Sequence, residues 1–193
     1  MALHESYGRW NYAVFMVQSD FAQRLIAKEN TENYSSLTLF ANFMSNIKLE
    51  FNVSKDVFYP IPKVTSSVIS ITPKEVDINI IDVFKSVSKT LFHNRRKTIR
   101  NNFITSPYLN INKECIDEIF SKANIDGNIR GETLHIDKVI ELSHILKRVY
   151  LIIRISFIQN SYRFNDVFYF FIIFFTISII HTHYLKQSIF MNH

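Results

Sequence analysis

Glycine is almost missing from this chain: 3 residues in 193, at positions 8, 127 and 131. Loops that cradle phosphates use clustered glycines for tight turns and close backbone approach, and no such cluster occurs anywhere in the sequence. Cysteine is scarcer still. Cys115 is the only one, which excludes an internal disulfide and a cysteine-based metal site and fits a reducing compartment, the cytoplasm. No His–Asp partnership surrounds it, so it reads as an ordinary half-buried thiol. The 7 histidines show no metal-ligand spacing, so no metal site is expected. The first residues, Met1-Ala2-Leu3-His4-Glu5-Ser6, lack a basic segment followed by an apolar run, so no secretory signal is expected. Internal repeats are absent.

What is present is apolar and basic. Apolar residues make up 47% of the chain and the formal net charge is +5; the first sustains a packed core and the second favours a polyanionic partner. Residues 1–76 read as strand-helix-helix-strand-strand. Tyr12–Val17 suits a buried strand, Asp20 opens a helix ending near Glu29-Asn30, and Leu37–Met44 is a second helix. Ile47–Val53 alternates as a strand, as does Val64–Thr72, where Ile69 and Ile71 take the opposite face. Residues 77–147 read as a small domain of about four helices, with Ile80, Phe84, Val87 and Leu91 sharing one apolar face. Residues 148–193 form an apolar tail. Its uncharged stretch Val167–Ile180 is shorter than the ~20 residues a bilayer span needs, and reaches that length if it runs to Leu185. Three readings of the tail stay open: read-through sequence never selected as structure, a membrane helix over 167–185, or a buried core helix.

Two motifs carry chemistry. In Phe58-Tyr59-Pro60-Ile61-Pro62-Lys63-Val64 each proline fixes φ and biases the residue before it toward extended backbone. An aromatic there is held at low entropic cost, which suits Phe58 to stack on an extruded base, an interaction of about 1–3 kcal/mol. The bland alternative is a loop between strands with a core aromatic. In Arg95-Arg96-Lys97-Thr98-Ile99-Arg100-Asn101 the run Arg95-Arg96-Lys97 with Arg100 is expected to place three charges, at i, i+1 and i+4, on one broad helical face, with Asp82 and Glu114 as the nearest acids in sequence. That favours a phosphate backbone, the alternative being a solvated basic face; Asn94 and Asn101 add hydrogen-bonding capacity toward sugar or phosphate. Arg130-Gly131-Glu132-Thr133-Leu134 precedes the last helix, Asp137–Leu146, with Thr133 as its expected cap.

Taken in order, these motifs resemble the ribosomal RNA adenine dimethyltransferase family. The resemblance runs over roughly residues 10–147. It is carried by Phe15-Met16-Val17-Gln18-Ser19-Asp20-Phe21-Ala22-Gln23-Arg24-Leu25, by Tyr34-Ser35-Ser36-Leu37-Thr38, by Phe58 through Ser66 (with Thr65 where the family usually has Asp), by Arg95 through Asn101, and by Arg130, Glu132 and Leu134. The resemblance implies the C-terminal part of a Rossmann-like methyltransferase sheet followed by a helical RNA-binding domain: α/β plus α. It implies dimethylation of adenines in small-subunit ribosomal RNA with S-adenosylmethionine as cofactor. Phe58 is then the ring against the target base, and Lys63, Arg95, Arg96, Lys97, Arg100 and Asn101 are the RNA contacts. The family's glycine-rich cofactor turn and its Asn-Leu-Pro-Tyr tetrapeptide are not in this sequence, so no cofactor-binding residue is assigned and the chain is expected to be a truncated, monomeric member, inactive alone. Two other readings stand beside it: a non-catalytic ribosomal RNA-binding module, and a membrane-anchored protein using 167–185.

Overall fold

The computed structural model describes residues 10–161, with side chains through Leu151. The chain divides into two compact units, Met1–Tyr150 and Leu151–His193; every described element lies in the first, save the end of the last helix. The described elements are β1 (Ala13–Gln18), α1 (Ser19–Leu25), α2 (Ser36–Met44), β2 (Ser45–Val53), β3 (Ser66–Pro73), α3 (Ile81–Leu91), α4 (Ile99–Thr105), α5 (Lys113–Lys122) and α6 (Ile136–Ser161). The strand-helix-helix-strand-strand order expected from the sequence is the one that forms.

The three strands make one antiparallel sheet in the order β1-β3-β2. Alternation sorts its two faces. Ile69 and Ile71 of β3 stand opposite Phe15 and Ala13 of β1 and opposite Leu49 and Ile47 of β2. This face is closed by Ala22 and Leu25 of α1 and Ala41 of α2. A bulge between Leu49 and Phe51 shifts the register by one residue, so Phe51 pairs with Val68 and points to the other face, because a one-residue slip exchanges faces.

Helix α2 starts on a capping box: Thr38 N–H donates to Ser35 Oγ, and Ser35 N–H donates to Thr38 Oγ1 at 3.1 Å, which satisfies two otherwise orphaned amides. Its Leu39, Phe43 and Met44 join a second, larger core with α3, α4, α5 and α6. There Phe43 stacks on Phe84 with ring centroids 4.1 Å apart, and Phe103 meets Phe120 edge-on at 5.0 Å. Fully burying one such side chain contributes about 1.5–3 kcal/mol. The buried face of Ile80, Phe84, Val87 and Leu91, along α3 and the residue that caps it, agrees with the periodicity read from sequence, and α6 buries Val139, Leu142 and Leu146.

Four expectations are corrected. Strand β1 is not buried: Val14, Phe15 and Met16 are 54%, 46% and 57% exposed, because the described residues supply β1 with one neighbouring strand, not two. The first helix stops at Leu25 rather than near Asn30, which takes a left-handed φ of 62° and donates its N–H to Glu132 O at 2.9 Å. Thr133 does not cap the last helix; its hydroxyl donates to Arg130 O at 2.8 Å, and His135 Nδ1 accepts from Asp137 N–H at 3.3 Å instead. That helix also continues past Leu146 to Ser161. The stretch 167–185 lies outside the described residues; among those described, no helix is long and apolar enough to cross a membrane.

Candidate nucleic-acid interface

The first motif forms the β2–β3 connection, at the sheet end where β1 runs out. Ser54 opens it with a short 3-10 turn over Lys55–Val57, its hydroxyl accepting from Asp56 N–H at 3.3 Å. Phe58 comes next with extended backbone (φ −106°, ψ 147°) and is half-buried. Tyr59 beside it is 101% exposed, and the Tyr59–Pro60 peptide is cis. Val57 and Ile61 are exposed as well, at 69% and 61%. Lys63 is exposed at the far end of the loop. The loop is tied down where it rejoins the sheet: Ser19 N–H donates to Thr65 O at 3.0 Å. Fully buried Ser67 places its Oγ 2.8 Å from Ser19 Oγ and 2.7 Å from Asn52 Oδ1.

The second motif is not on a helix as expected. Arg95, Arg96 and Lys97 occupy a turn between α3 and α4, and helical geometry begins only at Ile99. Thr98 caps α4, accepting from Asn101 N–H at 3.3 Å, and this cap separates the first three cations from Arg100. Nor is the cluster free of acids. Arg95 Nη1 donates to Glu32 O at 2.6 Å and Nη2 contacts Glu132 Oε2 at 3.2 Å. Arg100 grips Asp117 with two parallel bonds of 2.7 and 2.8 Å. Those bonds from Arg100 hold the Asp117 carboxyl below the usual carboxylate range and raise the Arg100 guanidinium in turn. Sequence distance concealed these partners, which come from 17 to 63 residues away. The Arg96 and Lys97 side chains are exposed and make no hydrogen bond or ion pair with the described residues. Asn101 is exposed on the first turn of α4.

Two further features were invisible in the sequence. Asn102, 0% exposed, is the clasp of the cationic turn: Nδ2 donates to Leu91 O at 3.0 Å and Asn94 O at 3.1 Å, and Oδ1 accepts from Asn94 N–H at 3.1 Å. Beneath it, Gly131 lies so close to the end of α3 that a Cβ there would sit 2.4 Å from Leu91 O. Tyr108, 45% exposed, carries Lys89 Nζ over its ring at 5.3 Å and meets His93 edge-on at 6.0 Å, adding an aromatic and cationic patch next to the turn. A periodicity signal marks neither Asn102 nor Tyr108; only three-dimensional pairing does.

Phe58 and Lys63 thus lie on one loop, and Arg95 through Asn101 on another segment; among the described residues, no hydrogen bond, ion pair or ring contact joins the two groups. A cavity of about 250 Å³ lined by Asn42, Lys74, Asp77, Ile136 and His144 among others involves none of them. The described glycines, Gly127 and Gly131, pack against Phe120 and Leu91 in the helical part. Among the described residues, therefore, no glycine-rich turn follows a strand. The arrangement does suit an extended polyanion: unpaired cations on a braced turn, exposed rings, and small polar groups.

Comparison with known proteins agrees with the family that these motifs resemble. The family model for ribosomal RNA adenine dimethylase matches residues 3–148. The chain is 40% identical over 137 residues to the ribosomal RNA small subunit methyltransferase A of Mycoplasma capricolum, covering 69% of this chain and 50% of that protein. It is 37% identical over 144 residues to the protein of the same name from Anaplasma phagocytophilum (72% and 50% covered) and 38% over 142 residues to that of Bacillus licheniformis (72% and 49%). The chain spans about half the length of these relatives. In fold it is similar to a dimethyladenosine transferase from Plasmodium falciparum, with a TM-score of 0.62 at 23% identity over 72% of this chain and 59% of that one.

Proposed function

The chain belongs to the ribosomal RNA adenine dimethylase family, and from that premise we propose that it is the RNA-contacting half of an enzyme that methylates adenines in small-subunit ribosomal RNA in the cytoplasm. The observation that carries this reading is the braced turn Asn94–Lys97. Asn102 holds its backbone, Arg95 is spent on Glu32 and Glu132, and Arg96 with Lys97 is left exposed toward solvent. Residues 77–147 act as the RNA-binding part. Phe58, with Tyr59 beside it, offers the ring for the target base, and Lys63 and Asn101 extend the contact. Within the cluster the roles divide: Arg96 and Lys97 meet phosphate, whereas Arg95 and Arg100 are braces whose cations are already neutralised. The methyl donor implied by the family is S-adenosylmethionine. No transfer step is assigned to this chain, and by itself it is expected to bind RNA without methylating it.

The test is salt-dependent binding to an RNA spanning the 3′ end of small-subunit ribosomal RNA, measured by fluorescence anisotropy. Each lost phosphate contact lowers the log–log salt slope by about 0.7–0.9. By the same rule Arg96→Ala with Lys97→Ala is expected to lower it by about 1.5, and Arg95→Ala to leave it unchanged. A slope unaffected by the double substitution refutes the assignment. Methylation of the same RNA by this chain alone would refute the claim of inactivity.

A further inference from the structure

We infer that Tyr108, Lys89 and His93 form a subsite for one unpaired nucleotide of the RNA, its base stacking on the Tyr108 ring and its phosphate meeting Lys89. The inference rests on the reading that this chain contacts RNA. It adds a second point of contact, one that tells an unpaired strand from a duplex.

Spacing along α3 sets up the charge. Lys85, Lys89 and His93 follow one another at i, i+4 and i+8, so they line one face of the helix and its exit and lead to the turn that carries Arg96 and Lys97. Lys89 and His93 are exposed, and neither side chain makes a hydrogen bond or ion pair with the described residues. Tyr108 meets them from the segment after α4. An exposed ring on a loop is ordinarily free to turn away; this one is fixed. Leu109, 7% exposed, anchors the next residue in the helical core. Tyr108 N–H donates to Ser106 Oγ at 3.2 Å, Ser106 Oγ lies 2.9 Å from Thr90 Oγ1, and Ser106 N–H donates to Asn102 O at 2.9 Å. Thr90 and Asn102 are both 0% exposed. The buried residue that clasps the cationic turn therefore also holds the segment that carries Tyr108. The ring nonetheless stays 45% exposed, and its hydroxyl has no hydrogen-bond partner among the described residues. Lys89 Nζ stands over it at 5.3 Å, and His93 lies 6.0 Å away with its plane turned by 82°. A cation over an exposed ring is held weakly, and a stacked base is held more strongly. A base can thus take the face that Lys89 covers, while the ammonium on its flexible stem moves to the adjoining phosphate. An unpaired strand offers rings and phosphates together, and a braced ring beside cations matches that alternation. A duplex keeps its bases stacked on one another and offers only phosphate. An apolar protein surface would bury Lys89 and His93 without partners.

The test is binding of the full chain to a fluorescent oligoadenylate and to an RNA duplex with the same number of phosphates. Tyr108→Leu is expected to weaken oligoadenylate binding by about five- to hundredfold and to leave duplex binding and both salt slopes unchanged. Tyr108→Phe, which keeps the ring, is expected to bind both RNAs as the parent does. Lys89→Ala is expected to lower the oligoadenylate salt slope by about 0.7. Tyr108→Trp gives a direct readout: the emission it adds to that of Trp10 is expected to be quenched by oligoadenylate and not by the duplex. Oligoadenylate binding indifferent to Tyr108→Leu, or weakened equally with duplex binding, overturns the inference; so does an unchanged slope in Lys89→Ala. Should Tyr108→Leu fold poorly, Tyr108→Trp still decides, since emission that both RNAs quench alike, or neither quenches, refutes stacking. If Arg96→Ala with Lys97→Ala lowers the slope while Tyr108→Leu changes nothing, the subsite alone fails. If that double substitution leaves the slope unchanged while Tyr108→Leu selectively weakens oligoadenylate binding, the assignment of the turn fails and the subsite stands. No binding of either RNA overturns both.

Discussion

Replacing Asn102 tests whether the cationic turn is held by one buried amide. Asn102→Ala removes three hydrogen bonds and strands Leu91 O and Asn94 N–H, whereas Asn94 O keeps the bond from Lys97 N–H at 3.0 Å. Leu91 is 1% exposed, so its carbonyl has no route to water and bears close to the full cost of about 1–2 kcal/mol for an unpaired buried group. The N–H of half-buried Asn94 recovers part of its loss from solvent, leaving about 0.5 kcal/mol, and the vacated amide volume adds roughly 1 kcal/mol. The sum is about 3 kcal/mol, which for a chain of this size lowers Tm by roughly 6–12 °C, readable by circular dichroism. Asn102→Asp sharpens the reasoning. It matches asparagine in shape and keeps an acceptor for Asn94 N–H, yet it exchanges the two donated protons for an oxygen facing two carbonyls. If the amide is a clasp, Asp is worse than Ala; if it merely fills volume, Asp is nearly silent. An alanine variant melting within about 2 °C of the parent, or an aspartate variant more stable than the alanine one, would sink the clasp.

The sheet and the core helices were legible because their signals are periodic. Alternation through Val64–Thr72 and the i, i+3, i+4 spacing of Phe84, Val87 and Leu91 each follow from one local rule. What failed was everything decided by partners distant in sequence. Tyr12–Val17 has the composition of an interior strand, and composition cannot say whether a second neighbour is present; here its side chains face water. The run from Arg95 to Arg100 has helical spacing, but Thr98 is a better cap than interior residue, and the helix begins after it. Asp117 and Glu132 neutralise cations that looked unopposed, because acids were sought along the chain and not across it. Phe58 does lie on the loop between β2 and β3, but the most exposed ring of that loop is Tyr59, a distinction set by which way the backbone turns. Asn102 comes after Asn101 with nothing to set it apart; one faces solvent and the other holds three backbone groups.

The remaining expectations rest on single contacts. Gly131→Ala places a methyl 2.4 Å from Leu91 O, a clash with backbone that must move; a loss of about 1–3 kcal/mol in urea unfolding is expected, with the salt slope for RNA retained, and an unchanged midpoint would show that the approach is not tight. Tyr34→Phe removes the bond from the buried hydroxyl to Leu134 O at 2.9 Å and should cost about 1–2 kcal/mol in the same assay; no loss means that water replaces the hydroxyl. The Arg100–Asp117 pair makes a pH-dependent prediction whose sign is fixed. Asp117 is held below its ordinary value in the folded chain by the bonds from Arg100, so the folded chain binds fewer protons at that site than the unfolded chain does. Its contribution is therefore present above the ordinary aspartate range and fades as pH falls through the lowered folded value. Because both side chains are well exposed, at 42% and 61%, the effect is small and screened by salt. Stability measured at low ionic strength should drop slightly more on acidification in the parent than in Asp117→Asn, and the difference should vanish in about 1 M salt. An identical acid limb for parent and variant at low salt would mean that the two parallel bonds do not persist in solution, and Arg100 would then return to the set of cations available to phosphate.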